Sequence, residues 1–339
     1  MLGQERSKEV GSLQDRRMPK PPAALPPEFS TSFTCAEALA SGVSARRLRA
    51  KDLEIPFRGV RSTLGGTNGG RSEEPLQLDR AVRLGVLRRA HAYGLIMPPH
   101  AFFAGRTAAV IYGAPLAHGD ELEVAVHAPA RPTRRRGIRC VKVSPHLASV
   151  RELEGLRLSS PASTWAMLGA TLTERELVIV GDAFVRVVRD ERGKPTTAIA
   201  TIDDLRRATA GGPRPGVARL RQALPHVRVG SSSPLETEYR LDAAAAGLPD
   251  AELDVEIHSV DGRRIGITEF VYRRWRVLVE VEGDHHRTSR AQWNRDIEKY
   301  AAYVAAGWEV VRLTSAHVRG GRAPAIVAAA LRRHGWQPS

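Results

Sequence analysis

The chain lacks the features that mark secreted, membrane-spanning and zinc-clustered proteins. It holds only two cysteines, Cys35 and Cys140, too few to form a zinc cluster on their own. No apolar run approaches the roughly 20 residues of a membrane helix, and the N-terminus lacks the apolar core of a signal peptide. These absences predict a cytoplasmic protein with no membrane partner, in which the two cysteines are not expected to form a disulfide.

Length and composition are those of a globular protein with more than one domain. The chain has 339 residues, of which 42% are hydrophobic and 26% are charged. A chain of this length predicts two or three domains. The order of the elements proposed below predicts a mixed α/β protein.

Positive charge is concentrated in the first two thirds of the chain. Residues 231–339 hold 15 Lys and Arg against 15 Asp and Glu, whereas residues 1–230 hold 36 against 22. The entire net charge of +14 therefore lies before residue 231. This distribution suits a protein in which the basic region binds nucleic acid and the neutral region carries the catalytic groups. The alternative is that the arginines reflect the base composition of a GC-rich genome.

The N-terminal region predicts a tail followed by a small DNA-binding module. Residues 1–28 are polar and then proline-rich, which predicts disorder. In residues 29–63, Thr34 and Glu37 form a capping-box pattern, and a second helix is expected to begin at Ser44. A helix, a turn, a basic helix and a strand make the outline of a winged helix. The basic side chains of the second helix are candidate nucleic-acid contacts: Arg46, Arg47, Arg49 and Lys51.

That N-terminal block resembles the antitoxin-like winged-helix module of abortive-infection proteins, which implies DNA binding. A small helical cap with a solvated basic face is the alternative. The Gly-rich segment that follows lacks the Lys-Ser/Thr pair of a phosphate-binding loop and is interpreted as an insertion.

Residues 75–229 predict an α+β middle domain. Helices are expected at 76–92, from Phe102 to about Tyr112, and at 173–189, and Ser160 with Pro161 predicts the start of another. Strands are expected at 121–127 and 138–143, joined as a hairpin by an arginine-rich tip. The tip supplies three candidate phosphate contacts, Arg134, Arg135 and Arg136, although a solvated turn explains it equally well.

Residues 231–339 contain most of the candidate catalytic and metal-binding side chains. Val277, Val279 and Val281 alternate with Leu278 and Glu280, which predicts a strand with Glu280 and Glu282 on one face. A strand rarely carries two carboxylates on one face of such an apolar run, because burying unpaired charge is costly. Asp284, His285 and His286 follow on a turn. Carboxylates beside imidazoles suit Mg²⁺ or Mn²⁺ and a proton-transfer group.

The same stretch carries a family resemblance. Glu280-Val-Glu-Gly-Asp-His-His286, then Asp296, then Gly307-Trp308-x-Val-x-Arg312 resemble the PD-(D/E)XK restriction-endonuclease-like group. The nearest branch is similar to very-short-patch-repair endonucleases. The resemblance covers the last third of the chain and implies a mixed sheet flanked by helices.

The resemblance also implies roles for individual residues. Glu269, eleven positions before Glu280, stands where the family usually shows an aspartate, and with Glu280 and the Val281 carbonyl it would hold the metal. Glu282 occupies the position that is often lysine in related nucleases. Glu282 and His286 would orient or deprotonate water. Glu236, three residues after Ser233, either completes a capping box or points an acid at the site.

The other elements of this region are predicted from their patterns. Asp261-Gly262 between two strand-like runs, 253–260 and 264–272, predicts a hairpin. A helix is expected at 290–306, a strand at 308–313 and one closing helix at 315–334. The buried face of the first of these helices is predicted from its apolar spacing to comprise Trp293, Ile297, Ala301 and Val304.

The sequence supports two hypotheses of function. The first is a metal-dependent DNA endonuclease with a basic N-terminal DNA-binding region. The second is a DNA-binding regulator or antitoxin-like protein with an inactive nuclease fold, which the Asp-to-Glu change at Glu269 and the missing lysine favour.

Overall fold

The computed structural model describes residues 22–63, 77–187, 196–283 and 290–338. Within these ranges the fold is mixed α/β, as predicted, with eleven α-helices and three sheets. The chain divides into two compact units, Met1–Thr67 and Asn68–Ser339. In the part of the chain that the structure describes, no helix is long and apolar enough to cross a membrane.

The helices and strands of the described residues are numbered along the chain. The helices are α1 (Cys35–Ala40), α2 (Gln77–Gly94), α3 (Gly105–Ile111), α4 (Pro161–Leu168), α5 (Glu174–Val185), α6 (Ile202–Ala210), α7 (Val217–Ala223), α8 (Pro234–Ala245), α9 (Arg290–Ala305), α10 (Ser315–Arg319) and α11 (Ala323–Arg333). The strands are β1 (Ser32–Thr34), β2 (Leu53–Glu54), β3 (Val60–Thr63), β4 (Ala101–Phe103), β5 (Leu122–His127), β6 (Ile138–Val143), β7 (Val150–Leu153), β8 (Leu156–Ser159), β9 (Glu252–His258), β10 (Arg264–Tyr272), β11 (Val277–Glu282) and β12 (Glu309–Thr314).

The first unit is built on one small antiparallel sheet of order β1-β3-β2. The predicted capping box at the start of α1 is present: Glu37 N–H donates to Thr34 Oγ1, and Thr34 N–H donates to the Glu37 carboxylate, both at 3.1 Å. Phe29 and Phe33 are buried together with Leu48 in the core of this unit.

The predicted second helix of a winged helix is wrong. Between Ser44 and Ala50 the structure has a single 3₁₀ turn, Arg47–Arg49. Leu48 is the one large apolar residue of this stretch, so a longer helix there would have no apolar face to bury. The helix-turn-helix outline therefore fails in this unit, although its basic side chains remain on the surface or near it.

The middle part of the second unit is a five-stranded sheet of order β6-β5-β4-β8-β7. The predicted hairpin between β5 and β6 is wrong, because the two strands pair in parallel from Leu122↔Ile138 to His127↔Val143. Alternation of side chains predicts a strand but not its direction. The arginine-rich residues 128–137 are thus a crossover between parallel strands rather than a hairpin tip.

The helix expected to begin at Phe102 also differs from the structure. Phe102 and Phe103 form strand β4, with both side chains buried, and α3 begins only at Gly105. Burial on both faces makes such a strand a continuous apolar run that periodicity does not separate from a helix. The start of α4 is as predicted: the Ser160 side chain caps the helix and Pro161 occupies its first turn.

The last part of the second unit is a mixed sheet of order β12-β11-β10-β9, flanked by helices as predicted. Strands β9 and β10 form the expected antiparallel hairpin, and β12 returns parallel to β11. Side chains of α8, α10 and α11 pack on one face with Val279. Tyr303 of α9 packs on the other face with Leu278.

Two expectations for the end of the chain are wrong. The closing helix is split into α10 and α11, because Gly321 takes a positive φ of 68° after α10. The buried face of α9 is not the aliphatic one: Ile297 and Val304 are 47% and 62% exposed, whereas Tyr303 is fully buried. Ala301 is exposed as well, and the Trp293 side chain lies outside the described residues.

Candidate functional site

Three carboxylates from three elements meet at one end of the C-terminal sheet. Glu236 lies in the first turn of α8, Glu269 on β10 and Glu280 on β11. The pairing of Phe270 with Val279 places Glu269 and Glu280 at the next opposed positions of the two strands. Glu236 is 4% exposed and Glu280 is 8% exposed. Glu269 and Glu280 therefore lie on the same face of the sheet. The convergence of Glu269, Glu280 and Glu282 on one metal site stays a prediction.

Glu269 occupies the most strongly perturbed position of the three. Its carboxylate accepts a hydrogen bond from the Val281 backbone N–H, just beyond the last paired residues of the two strands. Burial, followed by the charges of Glu236 and Glu280, raises the pKa of Glu269 well above its usual range. Like charges held this close favour keeping a proton or binding a cation.

Glu236 is held by the turn that precedes α8. Its N–H donates to the Ser233 hydroxyl at 3.3 Å, which is the predicted cap. Its carboxylate does not close a capping box with Ser233 but accepts the Ser232 N–H at 2.6 Å. Burial raises the pKa of Glu236 to about 7, against the lowering effect of these hydrogen bonds and of Arg186.

Glu280 has a cationic neighbour that the sequence analysis missed. Lys299 Nζ, on α9, lies 2.9 Å from Glu280 Oε1. The pair has the distance of an ion pair without the angles of a hydrogen bond, so this buried oxygen accepts no hydrogen bond from the described residues. The ammonium also lies 5.5 Å from the ring centre of Tyr303. This positive charge comes from a helix, whereas position 282, two residues after Glu280, holds a glutamate.

The signal for Lys299 was present in the spacing of α9. Tyr300 and Tyr303 stand one and four positions after it, so an aromatic face rather than the aliphatic one turns towards the sheet. Side-chain alternation along β11 does not reveal a residue that another element brings to the site.

Glu282 lies on the same face of β11 but is already paired. Its carboxylate accepts hydrogen bonds from Arg312 of β12, with Nε at 2.6 Å, and from the Tyr300 hydroxyl at 3.4 Å. The Arg312 guanidinium lies 4.7 Å from the centre of the Tyr300 ring. The structure places Glu282 in an ion pair at the rim of the carboxylate cluster.

The donor atoms fit a hard divalent cation in their chemistry. Glu236, Glu269 and Glu280 supply carboxylate oxygens, the ligands that Mg²⁺ and Mn²⁺ prefer, and one buried oxygen of Glu280 still has capacity to accept. Among the described residues, no three His, Cys, Asp or Glu side chains stand arranged as a set of metal ligands. Ligation by these residues, and by the Val281 carbonyl, remains a prediction.

The other predicted site residues are scattered. His286 lies outside the described residues. Arg46, Arg49 and Lys51 are exposed, whereas Arg47 forms a two-pronged ion pair with Asp52 at 2.9 and 2.7 Å. The three candidate arginines of the β5–β6 crossover differ in exposure: Arg134 and Arg136 are exposed, whereas Arg135 is half-buried.

Comparison with known proteins finds relatives but no family. No family model matches the chain. The uncharacterised proteins MT2308, from Mycobacterium tuberculosis strain CDC 1551 / Oshkosh, and Rv2248, from strain H37Rv, are each 28% identical to it over 250 residues. The match covers 74% of this chain and 86% of each relative. The names of these two relatives state no activity.

Proposed function

We propose that the chain is a metal-dependent DNA endonuclease that hydrolyses phosphodiester bonds at the cluster of Glu236, Glu269 and Glu280. The observation that carries the proposal is the close approach of three carboxyl groups from three separate elements beside Lys299, with Glu236 and Glu280 buried. Such a cluster costs stability, and a fold that keeps it is using it. A cytoplasmic location and DNA as partner belong to the same proposal.

The residues of the cluster divide the work. Glu269 and Glu280, helped by the Val281 carbonyl, would hold Mg²⁺ or Mn²⁺, which stabilises the charge that develops on the phosphate. Lys299 lies close enough to Glu280 to place a fixed positive charge beside the reacting phosphate. Glu236, whose pKa is raised to about 7, would donate or accept a proton at the carboxylate cluster. His286 keeps its predicted role in orienting or deprotonating water.

The direct test is cleavage of supercoiled plasmid by the full chain with Mg²⁺ or Mn²⁺. We expect nicking by the wild type, and a loss of about 100-fold or more in Glu280→Ala and in Lys299→Gln, since each removes a group at the reacting phosphate. Glu298→Ala is the matched control, because Glu298 is exposed on α9 next to Lys299. Cleavage that survives Glu280→Ala would place the activity elsewhere.

The alternative is a DNA-binding regulator with an inactive nuclease fold. The observation that favours it is that Lys299 and Arg312 already pair with Glu280 and Glu282. Glu269→Asp separates the two functions. If the wild type is active, this change does not raise activity much, because the site is fitted to the longer side chain. If the wild type is inactive and Glu269→Asp gains cleavage, with Mn²⁺ as the more tolerant ion, the regulator is favoured.

A further inference from the structure

Two adjoining cavities of opposite character lie in the middle part of the second unit, away from the carboxylate cluster. One, of about 290 Å³, lies between β6 and α4. The other, of about 360 Å³, lies around the start of α4. Leu147 and Arg214 line both cavities, so the two adjoin at these side chains. Their sizes are at the lower end for small-molecule sites.

The first cavity is mainly apolar. Val141, Val143 and Met167 are among its wall residues, which suits a flat heterocycle. Its one carboxylate, Glu123, is already held, because Oε2 accepts the Arg106 N–H at 2.8 Å and Oε1 lies 3.6 Å from Arg139. The remaining charges at its rim are positive.

The second cavity is polar and carries hydroxyl and guanidinium groups. Three serines meet there, with Ser149 Oγ donating to Ser160 Oγ at 2.8 Å and Ser149 N–H donating to Ser163 Oγ at 3.0 Å. Arg151 and Arg207 also line this cavity. The carboxylate there, Asp204, is engaged by Thr201 and Arg207.

Arg214 stands where the cavities meet and is incompletely satisfied. Its Nε is buried and has no hydrogen-bond partner among the described residues. Burial lowers the pKa of its guanidinium from the usual value. The two cavities together present five cationic side chains against two carboxylates that are both paired: Arg139, Lys142, Arg151, Arg207 and Arg214. A buried donor of this kind calls for an anion.

We propose that the two cavities form one binding site for a nucleoside phosphate. The base enters the apolar cavity, and the phosphate lies in the polar cavity between Arg214 and Arg151. This arrangement gives the Arg214 guanidinium an anionic partner and places the ring against aliphatic walls. The site is independent of the carboxylate cluster, and it fits a free nucleotide or a nucleotide at the 5′ end of a strand.

The experiment is calorimetric titration of the full chain with AMP, adenosine, inorganic phosphate and a 5′-phosphorylated dinucleotide. We expect AMP to bind at least tenfold more tightly than adenosine or phosphate alone, because it fills both cavities. Arg214→Gln should weaken AMP binding about tenfold or more, as the removal of a charge-assisted hydrogen bond does. Arg221→Gln, an exposed neighbour on α7, is the matched control and should bind as the wild type does.

Two further variants keep the outcome clear. Arg151→Gln should also weaken AMP binding without weakening adenosine binding, whereas Met167→Gln should weaken adenosine and AMP together. Circular dichroism of each variant establishes that it is folded. The proposal is overturned if AMP does not bind at millimolar concentration, or if folded Arg214→Gln binds it unchanged. Tighter binding of the dinucleotide than of AMP identifies a strand end as the ligand, and the reverse identifies a free nucleotide.

Discussion

Glu236 takes part in the cap of α8 through its backbone and carries a buried side chain. Its backbone N–H is part of the helix cap, and its carboxyl group is buried with a pKa raised to about 7. An acid whose folded pKa lies above its unfolded value binds more protons when folded. The contribution of Glu236 to stability therefore falls as the pH rises from about 4.5 through 7.

The first prediction follows from that sign. At pH 8 the ionised Glu236 costs on the order of 3 kcal/mol, since each pKa unit corresponds to about 1.4 kcal/mol. Glu236→Gln removes this cost while its amide oxygen still accepts the Ser232 N–H. In thermal unfolding without metal, we expect the wild type to lose several degrees more than Glu236→Gln between pH 5 and pH 8. Glu298→Gln, an exposed control, should behave as the wild type, and equal pH dependence in all three proteins would contradict the assignment.

At the scale of single residues, the sequence predicts the carboxylates of the site better than it predicts the cationic side chains that pair with buried carboxylates. Glu269 and Glu280 follow from a strand that carries charge where apolar residues are expected, together with the family spacing. Lys299 comes from α9, the element that follows β11, and Asp182 on α5 gave no hint of its more distant partner Arg240. Ion pairs between distant elements depend on tertiary packing, which periodicity along one element does not contain.

At the scale of elements, α8 joins the middle part of the second unit to the C-terminal sheet. Arg240 of α8 forms an ion pair with Asp182 of α5, which is 1% exposed and also accepts from Thr237 Oγ1 and Arg228 N–H. Burial still raises the pKa of Asp182 above its usual value. The helix that carries Glu236 is thus fixed by a buried contact with the middle part.

The second prediction concerns this ion pair. Arg240→Met leaves the Asp182 charge buried without its cation, which we expect to destabilise the chain by about 3–5 kcal/mol. Arg175→Met, which breaks the more exposed pair with Asp242 between the same two helices, should cost at most about 1 kcal/mol. Urea unfolding at pH 7 measures both. Equal losses of stability in the two variants would show that the buried pair has no special weight.

Prediction of helices and strands succeeds where local sequence chemistry alone determines the element. It fails where the same sequence pattern is compatible with two arrangements. The cap at Ser160–Pro161 and the hairpin of β9 and β10 follow from local chemistry and are confirmed. The predicted direction of β6 and the predicted buried face of α9 were wrong. Strand alternation is the same in parallel and antiparallel pairs, and an aromatic face competed with an aliphatic one on α9.

At the scale of the whole molecule, charge is divided unevenly. Residues 68–230 hold 25 basic and 15 acidic side chains, so this region carries +10 of the net +14, and residues 1–67 carry the other +4. Removing residues 1–230 to locate DNA binding would also break the ion pair of Asp182 with Arg240 inside the second unit. Charge substitutions in the full chain test the same idea without cutting a compact unit.

The last prediction is that DNA affinity depends on the arginines of the β5–β6 crossover and falls steeply with salt. Each arginine–phosphate ion pair that is removed lowers the slope of log affinity against log salt by about 0.9. The double variant Arg134→Gln/Arg136→Gln, at two exposed positions, should therefore bind duplex DNA more weakly and with a slope smaller by roughly 1–2. Arg319→Gln/Arg332→Gln removes two exposed arginines from the neutral C-terminal region and is the matched control. Fluorescence anisotropy between about 50 and 200 mM salt covers the range in which this effect is large. Equal weakening in both double variants would mean that net charge alone sets the affinity, whereas weakening confined to the crossover variant identifies that segment as one that binds the phosphate backbone.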